Sequence, residues 1–159
     1  MKLLDASSII HAWDNYPAEQ FPGLWNWIAS QIAEKNIIIS RVAFEEVTHK
    51  APECAEWLKS AAIEMIAVNN AIIIEALRIK SLLDISGDAY HPKGVDENDI
   101  FIIATASVLG MSLISDEGRQ KLPDIPKKRK IPAVCAMAEI AVPCINFLEF
   151  IRQSKVVFS

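Results

Sequence analysis

Residues 94–117, GVDENDIFIIATASVLGMSLISDE, decide how the chain is read. Three acids (Asp96, Glu97 and Asp99) stand within four residues, and a run of apolar or small residues follows from Ile100 to Leu109. Asp96 or Asn98 suits a helix cap, and Gly110 suits the left-handed position after the last turn. Beyond Thr105 and Ser107 this helix has no polar face, so it is predicted to be buried on nearly all sides. A short apolar strand, Met111 to Ile114, comes next and ends in two further acids, Asp116 and Glu117. An acid therefore heads a buried helix, and another closes the strand behind it. In an open parallel sheet, ligands bind at the carboxyl ends of strands and the helix starts beside them. A metal is the first explanation for acids in that position.

Upstream, the pattern repeats. Lys2-Leu3-Leu4 reads as a short buried strand stopping at Asp5, with a helix from Ser7; as a helix cap alone, Asp5 would have a purely structural role. Residues 14–23 read as a loop, with Pro17, Pro22 and Gly23. An amphipathic helix then runs from Leu24 to Glu34, carrying Trp25, Ile28 and Ile32 on one face. Trp13, Trp25 and Trp27 are expected in the core or on an oligomer face. The β-branched run NIIIS, residues 36–40, predicts a strand buried in a parallel sheet. Ser40 caps the helix that follows, with Val42, Glu45, Glu46 and His49 on it. Two more helices are expected over 52–62 and 69–83, the second placing Ile72, Ala76, Ile79 and Leu83 in the core. Strand and helix alternate with short connections, which predicts an α/β sheet with right-handed crossovers.

After Glu117 the chain turns basic. Arg119, Lys121, Lys127, Lys128, Arg129 and Lys130 share twelve residues with one acid, Asp124. Pro123 and Pro126 make this stretch a loop. Ile131 is expected to begin an edge strand, Pro132 a helix over 133–140, and the last helix spans 145–152.

Composition sets the bounds. With 159 residues, 52% of them hydrophobic, the chain fills one domain, residues 1–159, and not two. No apolar run approaches the roughly 18 residues of a membrane span. The start, MKLLDASS, has no apolar signal region, and three cysteines without CxxC spacing read as free thiols; a cytoplasmic chain is expected. A net charge of −4 argues weakly against nucleic acid, but carboxylates that hold cations are partly neutralised in use.

Asp5, Glu46 or Glu45, Asp99, and Asp116 or Glu117 come from four separate parts of the chain and open onto one rim. Gathered without a cation, they would repel and raise one another's pKa. Mg²⁺ or Mn²⁺ relieves that repulsion, because hard ions prefer carboxylate oxygens. Such a centre suits phosphodiester hydrolysis without a protein nucleophile. The three histidines lack zinc spacing, and Ser7 and Ser8 lack the setting of a nucleophile. A phosphatase of the haloacid-dehalogenase kind wants an acid where Ser7 stands, and a phospho-receiver wants a late lone lysine; neither pattern is present.

The segments LLDASSII, VAFEEV, DENDIFIIATA and LISDE resemble the four acidic motifs of PIN-domain nucleases. FPGLWNWI and KIPAVCAMAEIAVPCINFLEF resemble, more narrowly, the PIN-like DUF4411 group. The resemblance spans nearly the whole chain, and its third motif is the most specific. It implies a three-layer α/β/α domain with a parallel sheet of about five strands. It implies a Mg²⁺- or Mn²⁺-dependent endoribonuclease with Asp5, Glu46, Asp99 and Asp116 on the metal, and Glu117, Asp96 and Glu45 as further acids. The fourth motif departs from the usual pattern, which has an acid two residues after Ser or Thr. That acid is Glu117, whereas Asp116 follows Ser115 directly. The resemblance also implies a homodimer and the toxin role of a bacterial toxin–antitoxin pair, with a small antitoxin as partner. The basic residues 119–130 would then hold RNA phosphates. The competing expectation is an inactive interaction module on the same fold.

Overall fold

The computed structural model describes residues 1–118 and 120–159. Five parallel strands form its centre: β1 (Lys2–Leu4), β2 (Ile37–Ser40), β3 (Met65–Ile66), β4 (Ser112–Ile114) and β5 (Cys144–Ile145). Their order across the sheet is β3-β2-β1-β4-β5. The helices are α1 (Ala6–Asn15), α2 (Pro22–Ala33), α3 (Arg41–Lys50), α4 (Pro52–Ser60), α5 (Asn70–Leu82), α6 (Glu97–Leu109), α7 (Ile131–Cys135) and α8 (Phe147–Ser154). They flank the sheet in a three-layer α/β/α arrangement.

Register explains why the strands are so apolar. Leu3 lies between Ile38 and Leu113, and Leu4 between Ile39 and Ile114. All of these side chains are buried, as a strand covered on both faces requires. Each fully buried Leu or Ile contributes about 1.5–3 kcal/mol relative to exposure. The order runs outward from β1 in both directions, so the chain switches direction between β1 and β4. At such a switch, the crevice beyond the carboxyl ends of the strands is the natural ligand site. Asp5 follows β1 there, and Ser115, Asp116 and Glu117 follow β4.

The helix read first is α6. Asp96 caps it, and Gly110 ends it at φ 63°, in the left-handed region open to glycine. Ile100 and residues 102–106 are buried. Burial stops near the C-terminus, where Val108 and Leu109 are exposed. On one side α6 packs against α5, and the Ser107 hydroxyl donates to Glu75 Oε2 at 2.6 Å.

Two expectations for the C-terminal third are corrected. Ile131 does not start an edge strand; it opens α7, and the edge strand is Cys144–Ile145. The Ile131 amide donates to Glu117 Oε2 at 2.9 Å, and Pro132 suits the first turn of a helix, so no ladder partner is sought. The helix expected over 133–140 stops at Cys135. Asn146 then caps α8, its Oδ1 accepting from the Glu149 amide at 2.7 Å. Trp25 is core, edge-on to both Trp13 and Trp57, while Trp27 packs against Phe150 and Phe158.

Candidate metal centre

Asp5 occupies the N-cap position of α1, yet its carboxylate makes no capping bond. It accepts instead from the hydroxyls of Ser7 and Ser115, the latter at 3.0 Å. Ser7 also receives the Asp116 amide at 3.0 Å, so the two serines join the ends of β1 and β4 around one buried acid. Burial, the largest influence, raises the Asp5 pKa, against the pull of these two hydroxyls.

Across the crevice, Asp96 and Asp99 form a reciprocal cap at the head of α6. The Asp99 amide donates to Asp96 Oδ1 at 2.8 Å, and the Asp96 amide donates to Asp99 Oδ2 at 3.0 Å. Glu46 reaches them from the middle of α3, which Ser40 caps through the Ala43 amide. One carboxylate oxygen from each of Glu46, Asp96 and Asp99 lies within 4.8 Å of the other two. Three hard oxygen donors at that spacing fit a small divalent cation with only slight adjustment.

Electrostatics marks out the wider cluster. Burial pushes Asp99 up to about 8, and the negative charges of Glu117, Asp96 and Asp5 push the same way. Glu46 is raised by burial, then by Asp5 and Asp96; Lys50 and a hydrogen bond from Asn98 oppose this. Glu117 is raised by burial and by Asp5 and Asp96, against the Ile131 amide and Lys130. Asp5, Glu46, Asp96, Asp99 and Glu117 thus share one field.

Two expected site residues have other surroundings. Asp116 is held by other partners: His11 Nδ1 meets its Oδ2, and the Phe147 amide donates to its Oδ1 at 2.8 Å. The α8 N-terminus and His11 compete for this carboxylate more directly than the crevice does, which leaves Glu117 facing the other acids. Glu45 is exposed on α3 and is not in the three-acid group. Arg119 lies outside the described residues. Asp96, a secondary candidate from sequence, is in the group itself. Ser7, Ser115 and His11 were not legible as site residues. Their only sequence signal is position, one or two residues beside an acid for the serines and one helical turn further on for His11.

The basic loop is fastened beside the acids. It includes a single 3-10 turn, Pro126–Lys128, and the Val95 amide donates to the Arg129 carbonyl at 3.0 Å. Lys127 and Lys128, with Lys93, face His91 and lower its pKa, after a larger effect of desolvation. Cations therefore lie next to the head of α6, although among the described basic residues of the loop Lys121 and Lys130 are the exposed ones.

The five-stranded parallel α/β/α sheet gathers these acids at its switch point. The family described as "Domain of unknown function (DUF4411)" matches residues 3–158, and the chain belongs to that family. No curated protein matches the sequence. Among solved structures, the chain is similar to one in the crystal structure of VapBC2 from Rickettsia felis bound to a DNA fragment from their promoter. The two are 15% identical, with 92% of this chain and 98% of that one covered at a TM-score of 0.56, a likeness of fold. A toxin–antitoxin complex from Klebsiella pneumoniae is similar at 16% identity, covering 80% of this chain and 94% of that one, with a TM-score of 0.48. No helix among the described residues is long and apolar enough to cross a membrane.

Proposed function

We propose that the chain is a Mg²⁺- or Mn²⁺-dependent endoribonuclease, the toxin of a bacterial type II toxin–antitoxin pair. The observation that carries this reading is the convergence of Glu46, Asp96 and Asp99 within 4.8 Å, ringed by Asp5 and Glu117. Glu46, Asp96 and Asp99 would hold the ion. Asp5, fixed by two hydroxyls, and Glu117, fixed by the Ile131 amide, would orient its water shell. A bound divalent ion supplies a water of lowered pKa and positive charge for the leaving oxygen. The basic loop supports an RNA substrate, because its cations would meet phosphates arriving at the acidic crevice. The fold shared with the VapBC2 chain supports an antitoxin partner. Exposed Ile73, Ile74 and Leu77 on α5, with Val108 and Leu109 on the adjoining α6, support a homodimer.

Calorimetry with Mn²⁺ tests the centre without needing the right RNA. The wild type is expected to bind, and Glu46→Gln to lose about 1.4 kcal/mol or more, at least tenfold. A folded wild type that takes up no Mn²⁺ overturns the reading and leaves an interaction module.

The loop has its own test. Changing Lys127, Lys128, Arg129 and Lys130 together to Ala is expected to flatten the log–log salt dependence of single-stranded RNA binding. The slope should change by about 2–3, since each phosphate contact on a single strand contributes roughly 0.7. A slope equal to that of the wild type returns these residues to the role of solvated charges.

A further inference from the structure

Beside the acidic cluster lies a cavity of about 320 Å³. Its lining includes His11, Tyr16, Asp116, Glu117, Asn146 and Leu148, and of these the sequence motifs single out only the two acids. We propose that this cavity is a subsite for one unpaired nucleobase of the RNA, an inference that rests on the nuclease reading and gives its substrate a shape.

Four observations carry it. First, the cavity shares Glu117 and Ser115 with the acidic crevice, and Ser115 donates to Asp5. A nucleotide seated in the cavity thus has its phosphate within reach of the acids. Second, its volume falls at the lower end of the range for small-molecule pockets, suited to a single flat ring system. Third, it offers two rings for stacking. Tyr16 is held edge-on to Phe21 at 5.5 Å between centroids, and His11 is tethered by Asp116 with its side chain 61% exposed. Fourth, the polar groups are fixed beforehand. Asp116 also lines the cavity, but both its oxygens are engaged, by His11 and by the Phe147 amide, so it backs the imidazole and is not a bare charge toward the ligand. Asn146 spends Oδ1 on the α8 cap, leaving its amide N–H groups to donate to a base edge. Aromatic faces with a few fixed donors are how proteins seat bases that have left a helical stack, which limits the substrate to single-stranded or looped RNA.

The test uses the full chain without added metal and four uncharged nucleosides, adenosine, guanosine, cytidine and uridine, followed by NMR. At least one is expected to shift the ring signals of His11 and Tyr16 while those of His49 and His91 stay still. Tyr16→Ala is expected to weaken that binding about tenfold, within the range of one base–aromatic stack, and Tyr16→Phe to keep it. Leu148→Trp, at a position 46% exposed and so tolerant of a larger side chain, is expected to fill the cavity and abolish the shifts. No shift with any nucleoside overturns the subsite, as do shifts that persist in Leu148→Trp. The nuclease reading is judged separately, by Mn²⁺ uptake. A protein that binds Mn²⁺ but no nucleoside loses only the subsite, and one that binds nucleosides but no Mn²⁺ loses only the nuclease.

Discussion

Asp99→Asn folds, takes up no Mn²⁺, and melts at a higher temperature than the wild type at pH 8. The sign follows from the carboxylate's setting. Unfolded, an aspartate ionises near 3.8, whereas in the crevice burial and the charges of Glu117, Asp96 and Asp5 push Asp99 up to about 8. Between those values the native state keeps a proton that the unfolded chain has released, so stability falls as pH rises from about 4 to about 8 and then levels. Each unit of difference corresponds to about 1.4 kcal/mol, which makes the total a few kcal/mol. Asparagine removes the ionisation and keeps the geometry, because its Oδ1 can still accept from the Asp96 amide and close the helix cap. The variant should therefore match the wild type only near pH 4, exceed it modestly at pH 5 and by more at pH 8, and show a shallower slope between. Some slope stays, because Asp5, Glu46 and Glu117 are raised too.

Mn²⁺ separates the metal role from the cap. In the wild type at pH 8, the ion takes the place of the proton and raises the melting temperature by mass action. In Asp99→Asn that rise should vanish, and cleavage should fall beyond the roughly 10–100-fold that disturbing an outer-shell group costs. Thermal melts at pH 5 and pH 8, each with and without Mn²⁺, read all of this. An Asp99→Asn protein that melts below the wild type at both pH values would make Asp99 chiefly a cap and remove it from the centre.

Much of this was legible in the chain because local and global signals agree. The run from Ile100 to Ala106 has no polar face, and only a helix covered on both sides accommodates that. The runs LL and IIIS demanded a sheet covered on both faces, and the parallel register of β1 with β2 and β4 meets that demand. Position beside these elements was enough to nominate Asp5, Glu46 and Asp99. Direction was not. Asp116 and Glu117 are neighbours after one strand, and which of them faces the crevice depends on partners 105 and 31 residues away, His11 and Phe147. Asp96 likewise reads as a cap, and it is one; its place in the group of three depends on Glu46 arriving from another helix. The mistaken edge strand at Ile131 has the same origin. A single β-branched residue after a basic run fits either a strand or a helix start, and the Glu117 carboxylate selects the helix.

Gly94→Ala is expected to cost roughly 2–12 °C of melting temperature and to weaken RNA binding while leaving Mn²⁺ uptake in place. A Cβ at position 94 would sit 1.9 Å from the Lys127 carbonyl oxygen, 2.8 Å from its carbon and 3.0 Å from the Lys128 Cα. All three atoms are backbone, so no rotamer change relieves the clash. The loop has to back away, and the bond from the Val95 amide to the Arg129 carbonyl opens with it. Overpacking of this kind costs about 1–3 kcal/mol, which for a chain of this size gives the stated shift. The functional consequence is the sharper one. Gly94 stands two residues before Asp96, so the contact that fits the loop here also sets the basic residues beside the acids. Lys127, Lys128 and Arg129 would keep their charge and lose their station. RNA affinity should then fall toward that of the four-alanine variant, although the net charge of the protein is unchanged. Salt titrations of RNA binding, run beside the Mn²⁺ calorimetry, separate placement from charge. If Gly94→Ala melts like the wild type and keeps its salt slope, the close approach at Lys127 positions nothing that RNA uses.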